Sequence, residues 1–191
     1  MKRIAVLFVL AAGAVSPAAF AQASAPVAVQ PAAGPSFKLS SPAEASCPST
    51  KTLDELATAI YVNVSGPYDQ DRTCFRDMFL ADARLSPISK AKDSSSYAAR
   101  NLTVEDWISA VAKRGSGNFF EKATANKVEQ YGSLAHIWST YESRHALNDA
   151  APFARGINSI QAVYDGTRWK VQAILWQAET TDAPIPAKYL P

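Results

Sequence analysis

Few side chains in this chain are suited to acid–base, metal or thiol chemistry: His136, His145, Cys47 and Cys74 stand out. A histidine needs a bonded partner to work as an acid or base, and none is paired with either one in sequence. No HExxH or other close histidine–carboxylate cluster offers a zinc site. No G-x-S-x-G offers a nucleophile elbow. Arg114-Gly115-Ser116-Gly117-Asn118 is glycine-rich, but it follows a predicted helix instead of preceding one, so it is not a phosphate loop. No metal and no cofactor is therefore expected. Arg168-Trp169-Lys170 reads at first as a basic-aromatic binding surface.

The first residues, MKRIAVLFVLAAGAVSPAAFAQA, have a charged start (Lys2, Arg3), an apolar run from Ile4 to Val15, and small-x-small cleavage patterns ending at Ala21 and Ala23. This predicts a cleavable secretory signal over 1–23 and a periplasmic or secreted protein. The run is too short for a membrane span. Cleavage after Ala23 removes Lys2 and Arg3, so a formal charge of +2 falls to 0. Binding to nucleic acid or an anionic membrane loses its basis with those two charges. In an oxidising compartment Cys47 and Cys74 are expected to bond, tying the segment before the first helix to the second helix.

Residues 24–48 are rich in Ala, Pro and Ser and carry no periodicity, which predicts a flexible segment. The elements that must position any site begin after it, in a domain over 49–182. Thr52-Leu53-Asp54-Glu55 is a capping box, and Leu53, Leu56, Ala57, Ile60, Tyr61 and Val64 follow at helical spacing. Gly66-Pro67 ends this helix. A second, shorter helix is expected from near Asp71 through Cys74, Phe75, Met78 and Phe79. Ala83 to Ile88 reads as a brief strand ended by Pro87, and Ser89 to Arg100 as a loop. Thr103 caps a third helix with Val104, Trp107, Ile108 and Val111 on one side.

Strand patterns take over from there. Phe119–Tyr131 is a strand bent or broken in its middle, and Leu134–Arg144 and Gly156–Tyr164 follow it. Asp165-Gly166 is a hairpin turn, and Trp169–Gln177 is the last strand. The Pro-rich tail, 183–191, cannot extend a sheet. Helices followed by a strand meander give an α+β class: three N-terminal helices packed on a curved antiparallel sheet. Alternation sorts the faces. Ala135, Ile137, Ser139 and Tyr141 should look toward the helices, with His136 and Trp138 outward. Trp169, Val171, Ala173 and Leu175 should look inward, with Lys170, Gln172, Ile174 and Trp176 outward. A bulge would invert the far half of either assignment. Asn158 and Gln161 fall on opposite faces of their strand.

This order of elements resembles the nuclear transport factor 2-like (SnoaL-like) superfamily. Tyr131-Gly132-Ser133-Leu134-Ala135-His136-Ile137-Trp138 is similar to its G-x-x-A-x-V strand. Asp165-Gly166-Thr167-Arg168-Trp169-Lys170-Val171 is similar to its DG-x-W-x-I hairpin. The likeness spans roughly Thr52 to Gln177, and within the superfamily it is greatest to exported bacterial members of unassigned function. It implies a cone-shaped fold whose sheet curls around a pocket closed by the helices. Isomerases of the superfamily carry a first-helix tyrosine that donates to the oxyanion, and Tyr61 resembles it, although Tyr61 also suits plain helix packing. Their catalytic aspartate lies on the first strand, where Ala83-Arg84-Leu85-Ser86-Pro87 has no carboxylate. Asp69 and Asp71 lie near the pocket mouth in such folds, and Asp71 is also a natural helix cap.

Three readings of function follow. The first is a non-catalytic domain binding a small apolar ligand or a partner, in a pocket lined by Tyr61, Phe75, Phe79, Trp107, Ser139 and Tyr141. The second is a dehydratase, isomerase or cyclase with Tyr61 as donor and Asp69 or Asp71 as base. The third is a dimerisation or scaffold module, a homodimer through an outer sheet face bearing Trp138, Ile174 and Trp176.

Overall fold

A computed structural model describes residues 46–92 and 95–191. The expected signal peptide and nearly all of the segment 24–48 lie outside the described residues. Three helices, α1 (Leu53–Val64), α2 (Thr73–Asp77) and α3 (Val104–Ala112), accompany seven strands. The strands are β1 (Gly66–Pro67), β2 (Phe79–Lys90), β3 (Tyr97–Ala99), β4 (Asn118–Tyr131), β5 (Leu134–Arg144), β6 (Ala154–Tyr164) and β7 (Trp169–Ala178). They form one sheet in the order β1-β4-β5-β6-β7-β2-β3. Every neighbouring pair is antiparallel except β2 with β7, which run parallel. The class is α+β, as the order of sequence patterns indicates.

Local chemistry explains where the helices begin. The Thr52 hydroxyl accepts from the Glu55 backbone N–H at 3.2 Å, and the Glu55 carboxylate accepts from the Thr52 N–H at 2.9 Å. Thr103 and Asp106 make the same reciprocal pair at the start of α3. Such caps satisfy backbone donors that a helix leaves orphaned. The other end of α1 is held by Arg72, whose guanidinium is buried and donates to the carbonyls of Asn63, Val64 and Pro67. A cation there also meets the negative end of the helix dipole.

α2 is shorter than the periodicity suggests: Phe79 opens β2 instead of continuing the helix, and Asp71 caps the turn by accepting from the Thr73 N–H and hydroxyl. Cys47 and Cys74 are joined, with Cα atoms 5.2 Å apart. Pro87 does not end its strand. Leu85 bonds Leu102 in both directions and the Pro87 carbonyl accepts from Arg100, so these alternate residues point their backbone groups away from β7. A missing N–H at that parity removes no bond to β7. The run Ser89–Arg100 is accordingly not all loop, because β2 extends to Lys90 and β3 pairs back on it.

Besides a register shift in β2 between Phe79 and Arg84, two bulges set the faces of the central strands. In β4 the register shifts between Ala123 and Ala125, leaving Thr124 as the extra residue. In β7 the shift falls between Ala173 and Val171 opposite Gln161 and Ala162, leaving Gln172 as the extra residue. Trp169 and Val171 pack inward as expected. Beyond the bulge the alternation is reversed: Leu175 is exposed, Ile174 joins the core and Trp176 packs against it. β5 has no such fault, and Ala135, Ile137, Ser139 and Tyr141 are all buried.

The tail folds back over the outer sheet face. Residues 187–189 form a 3-10 turn. The Thr140 hydroxyl donates to the Tyr189 carbonyl at 2.6 Å, and the Tyr189 ring lies 5.5 Å from that of Trp138. Ile185 is buried, and its N–H donates to Glu179. The surface expected of Trp138, Ile174 and Trp176 is therefore not formed: a bulge turns two of them inward and the chain's own tail lies on the third.

Candidate functional site

A cavity of about 230 Å³ lies between the helices and the inner face of the sheet. Most of its wall is apolar. Phe75 of α2 and Trp107 of α3 stack with centroids 4.7 Å apart, facing Ile174 and Trp176 of β7. Phe75 and Trp107 thus line it as the sequence suggests. Phe79 does not line it; it sits behind Phe75, 4.8 Å away ring to ring, in the core.

Arg114, just after α3, is one polar part of the wall; the rest belongs to the sheet: Glu121 of β4, Tyr141 and Ser143 of β5, and Asn158 of β6. Glu121 opposes Ser143 in the ladder. The Ser143 hydroxyl donates to Glu121 Oε2 at 2.9 Å, and Asn158 Nδ2 donates to Oε1 at 3.4 Å. The residue as a whole is half-buried, but its carboxyl end is enclosed. Burial pushes its pKa up from the usual carboxylate range to about 7, against the lowering pull of Ser143 and Asn158. No cation is among the groups acting on it. Desolvation without a countercharge is the cause, and it leaves the carboxyl divided between acid and base near neutrality.

Asn158 also donates to the Tyr61 hydroxyl at 3.1 Å, and Tyr61 Oη lies 2.5 Å from Ser139 Oγ. Tyr61 and Ser139 are therefore brought together, but as a buried pair beneath the cavity that does not line it. Burial raises the Tyr61 phenol to about 12. Tyr141 differs. It lines the cavity, burial pushes its phenol well up, and its hydroxyl has no hydrogen-bond partner among the described residues. Gly156 makes room for it, since a Cβ there would come within 2.5 Å of Tyr141 Oη.

The two aspartates expected as bases are elsewhere. Asp69 is exposed and Asp71 is spent on the α2 cap. His136 lies on the outer face, 3.0 Å from Ser159 Oγ, and His145 stacks on Phe153. The basic residues of the last hairpin are structural: Arg168 forms a two-point pair with Asp77 at 2.5 and 2.7 Å, and Lys170 donates to the Asp77 carbonyl. Among the described residues, no group of three or more His, Cys, Asp or Glu could hold a metal, and no helix is long and apolar enough to cross a membrane.

Glu121 is the residue that sequence reasoning missed. Counted back from the Tyr131–Leu134 turn, an unbroken ladder would set it opposite Arg144 on the outer, charged face. The bulge at Thr124 shifts it opposite Ser143, facing inward. The available signal was the suspected break in the middle of this strand.

No family profile matches the sequence, and no curated protein matches it. Solved structures do. A protein of unknown function with a cystatin-like fold from Nostoc punctiforme is 11% identical with a TM-score of 0.51, over 68% of this chain and 90% of that one. The beta subunit of a proposed aromatic-ring-hydroxylating dioxygenase from Novosphingobium aromaticivorans is 15% identical with a TM-score of 0.52, over 70% and 94%. A nuclear transport factor 2-like protein of unknown function from Silicibacter pomeroyi is 12% identical with a TM-score of 0.46, over 66% and 92%. At these identities the likeness of the first two concerns the fold alone, and the fold is the helix-closed, cone-shaped sheet expected from the order of elements.

Proposed function

We propose that the cavity takes up a small, flat, mostly apolar molecule and that Glu121 exchanges a proton with it. The reaction class is isomerisation or dehydration, with the Tyr141 hydroxyl donating to a substrate oxygen. One observation carries this reading: a carboxyl raised to about 7 lines a mostly apolar cavity that also holds a phenol with no hydrogen-bond partner among the described residues. A general base works best with a pKa near the operating pH, and a donor aimed at developing negative charge supplies much of the remaining catalysis. The cavity size suits a single ring, since a cavity of about 150 Å³ can hold benzene.

The test is α-proton exchange of a cyclic ketone such as cyclohexanone in D₂O, followed by NMR. The wild type is expected to exceed buffer, with a rate rising through about pH 7 as Glu121 ionises. Glu121→Gln should abolish the excess, and Tyr141→Phe should lower it about 10²-fold. A wild-type rate equal to buffer overturns turnover by Glu121.

Binding without turnover is the second reading. It is favoured by the engagement of both Glu121 oxygens, one by Ser143 and one by Asn158. It expects Glu121→Gln to retain a ligand that the wild type binds but does not convert. Export is part of either proposal. The charged, apolar and small-residue order of the first residues supports it, as does the Cys47–Cys74 bond. N-terminal sequencing of the protein from its native host, expected to begin after Ala21 or Ala23, tests it.

A further inference from the structure

We infer that the cavity's ligand carries a carboxylate and that Arg114 holds this group at the cavity mouth. The inference rests on the proposal that the cavity binds a small apolar molecule. Arg114 follows the last turn of α3, is exposed, and forms part of the cavity wall. Several other arginines are matched with a carboxylate: Arg76 with Glu105, Arg144 with Glu142, Arg155 with Glu179 and Arg168 with Asp77. Arg114 has no such partner among the described residues. Its guanidinium lies instead over the Tyr68 ring, 5.7 Å from the centroid.

That seat is built. The Tyr68 N–H donates to the Gly117 carbonyl at 3.1 Å, and the ring packs over Gly117, where a Cβ would come within 2.9 Å of it. Stacking through its face orients a guanidinium while leaving the in-plane N–H fork free. Such a fork matches the two oxygens of a planar carboxylate. Arg114 and Glu121 line the same cavity, Arg114 from the chain just after α3 and Glu121 from β4. A ligand engaging both must span from an anionic group at the mouth to a reactive carbon or oxygen inside. Phe75, Trp107 and Trp176 line the same cavity, so the class is a monocyclic, flat carboxylic acid.

Benzoate and its neutral near-isostere benzamide are the probes, titrated at pH 6 and low salt and followed by tryptophan fluorescence. At that pH benzoate is ionised and Glu121 is mostly protonated. Wild type is expected to bind benzoate about tenfold more tightly than benzamide. Arg114→Gln should bring the ratio to about one with benzamide binding unchanged, and Arg114→Lys should fall between. If benzamide binds but the ratio is the same in wild type and Arg114→Gln, the role of Arg114 is overturned and the cavity reading stands. If neither probe binds the wild type at millimolar concentration, both are overturned.

Discussion

Glu121 and Ser143 face each other across β4 and β5, and the serine hydroxyl donates to the carboxylate at 2.9 Å. This cross-strand pair places the one strongly raised carboxyl among the described residues inside the cavity. It exists because β4 carries one residue more than its partner.

Glu121 should give stability a pH dependence of unusual sign. Its folded pKa, about 7, lies above the ordinary 4.5, so between those values the folded state holds the proton more tightly than the unfolded state. Stability contributed by the neutral form is present below about pH 4.5 and is lost as pH rises through about 7. The full effect is of order 3 kcal/mol. Urea unfolding across pH 4–8 should show this decline, and Glu121→Gln should flatten it. An unchanged slope in the variant would place Glu121 outside this behaviour.

Gly156→Ala should strike two neighbours at once. The added methyl would press on the Gln177 carbonyl and on the Tyr141 hydroxyl. Overpacking of this kind costs about 1–3 kcal/mol. Adding Tyr141→Phe should recover only part of the loss, because it removes the hydroxyl oxygen but leaves the ring carbon Cζ, 2.7 Å from the added methyl, and the Gln177 carbonyl. Chemical denaturation of the two variants measures this.

Loss of the disulfide should weaken the fold by roughly 3–4 kcal/mol in the chain-entropy account for a loop of 27 positions. Thermal melting with and without reductant tests the magnitude. Mass spectrometry without reductant should find no free thiol.

Deleting residues 183–191 should uncover Trp138 and Thr140 and remove the buried Ile185 side chain. A stability loss of about 2 kcal/mol is expected. Exposure of the apolar outer face should also make the truncated protein self-associate in sedimentation where the full chain does not. The indole N–H of Trp138 is buried without a partner, which lowers the net cost of removing the tail.

Features set by contiguous residues were legible in the sequence. The Thr52 capping box, the Thr103 cap, the Asp165-Gly166 turn and the limits of β5 depend on neighbours within a few positions. Facing along β5 was also legible, because its alternation is unbroken. What could not be read were the consequences of one extra residue at Thr124 and at Gln172. Each reverses every side chain beyond it. The first delivers Glu121 to the cavity, and the second delivers Ile174 and Trp176. Asp71 shows the opposite case: its type suited both a cap and a base, and the local backbone claims it as a cap. Arg72 was invisible because its partners are carbonyls, which no residue type advertises.

The parallel contact between β2 and β7 also bears on how the chain reaches this state. β4 to β7 pair with their sequence neighbours and can assemble as each emerges. β2 cannot complete its pairing until β7, some ninety residues later, exists. Closing so long a loop is slow compared with zipping a hairpin. The pairing of β2 must therefore wait for the last strand, and the meander acts as the template on which that earlier strand finally settles.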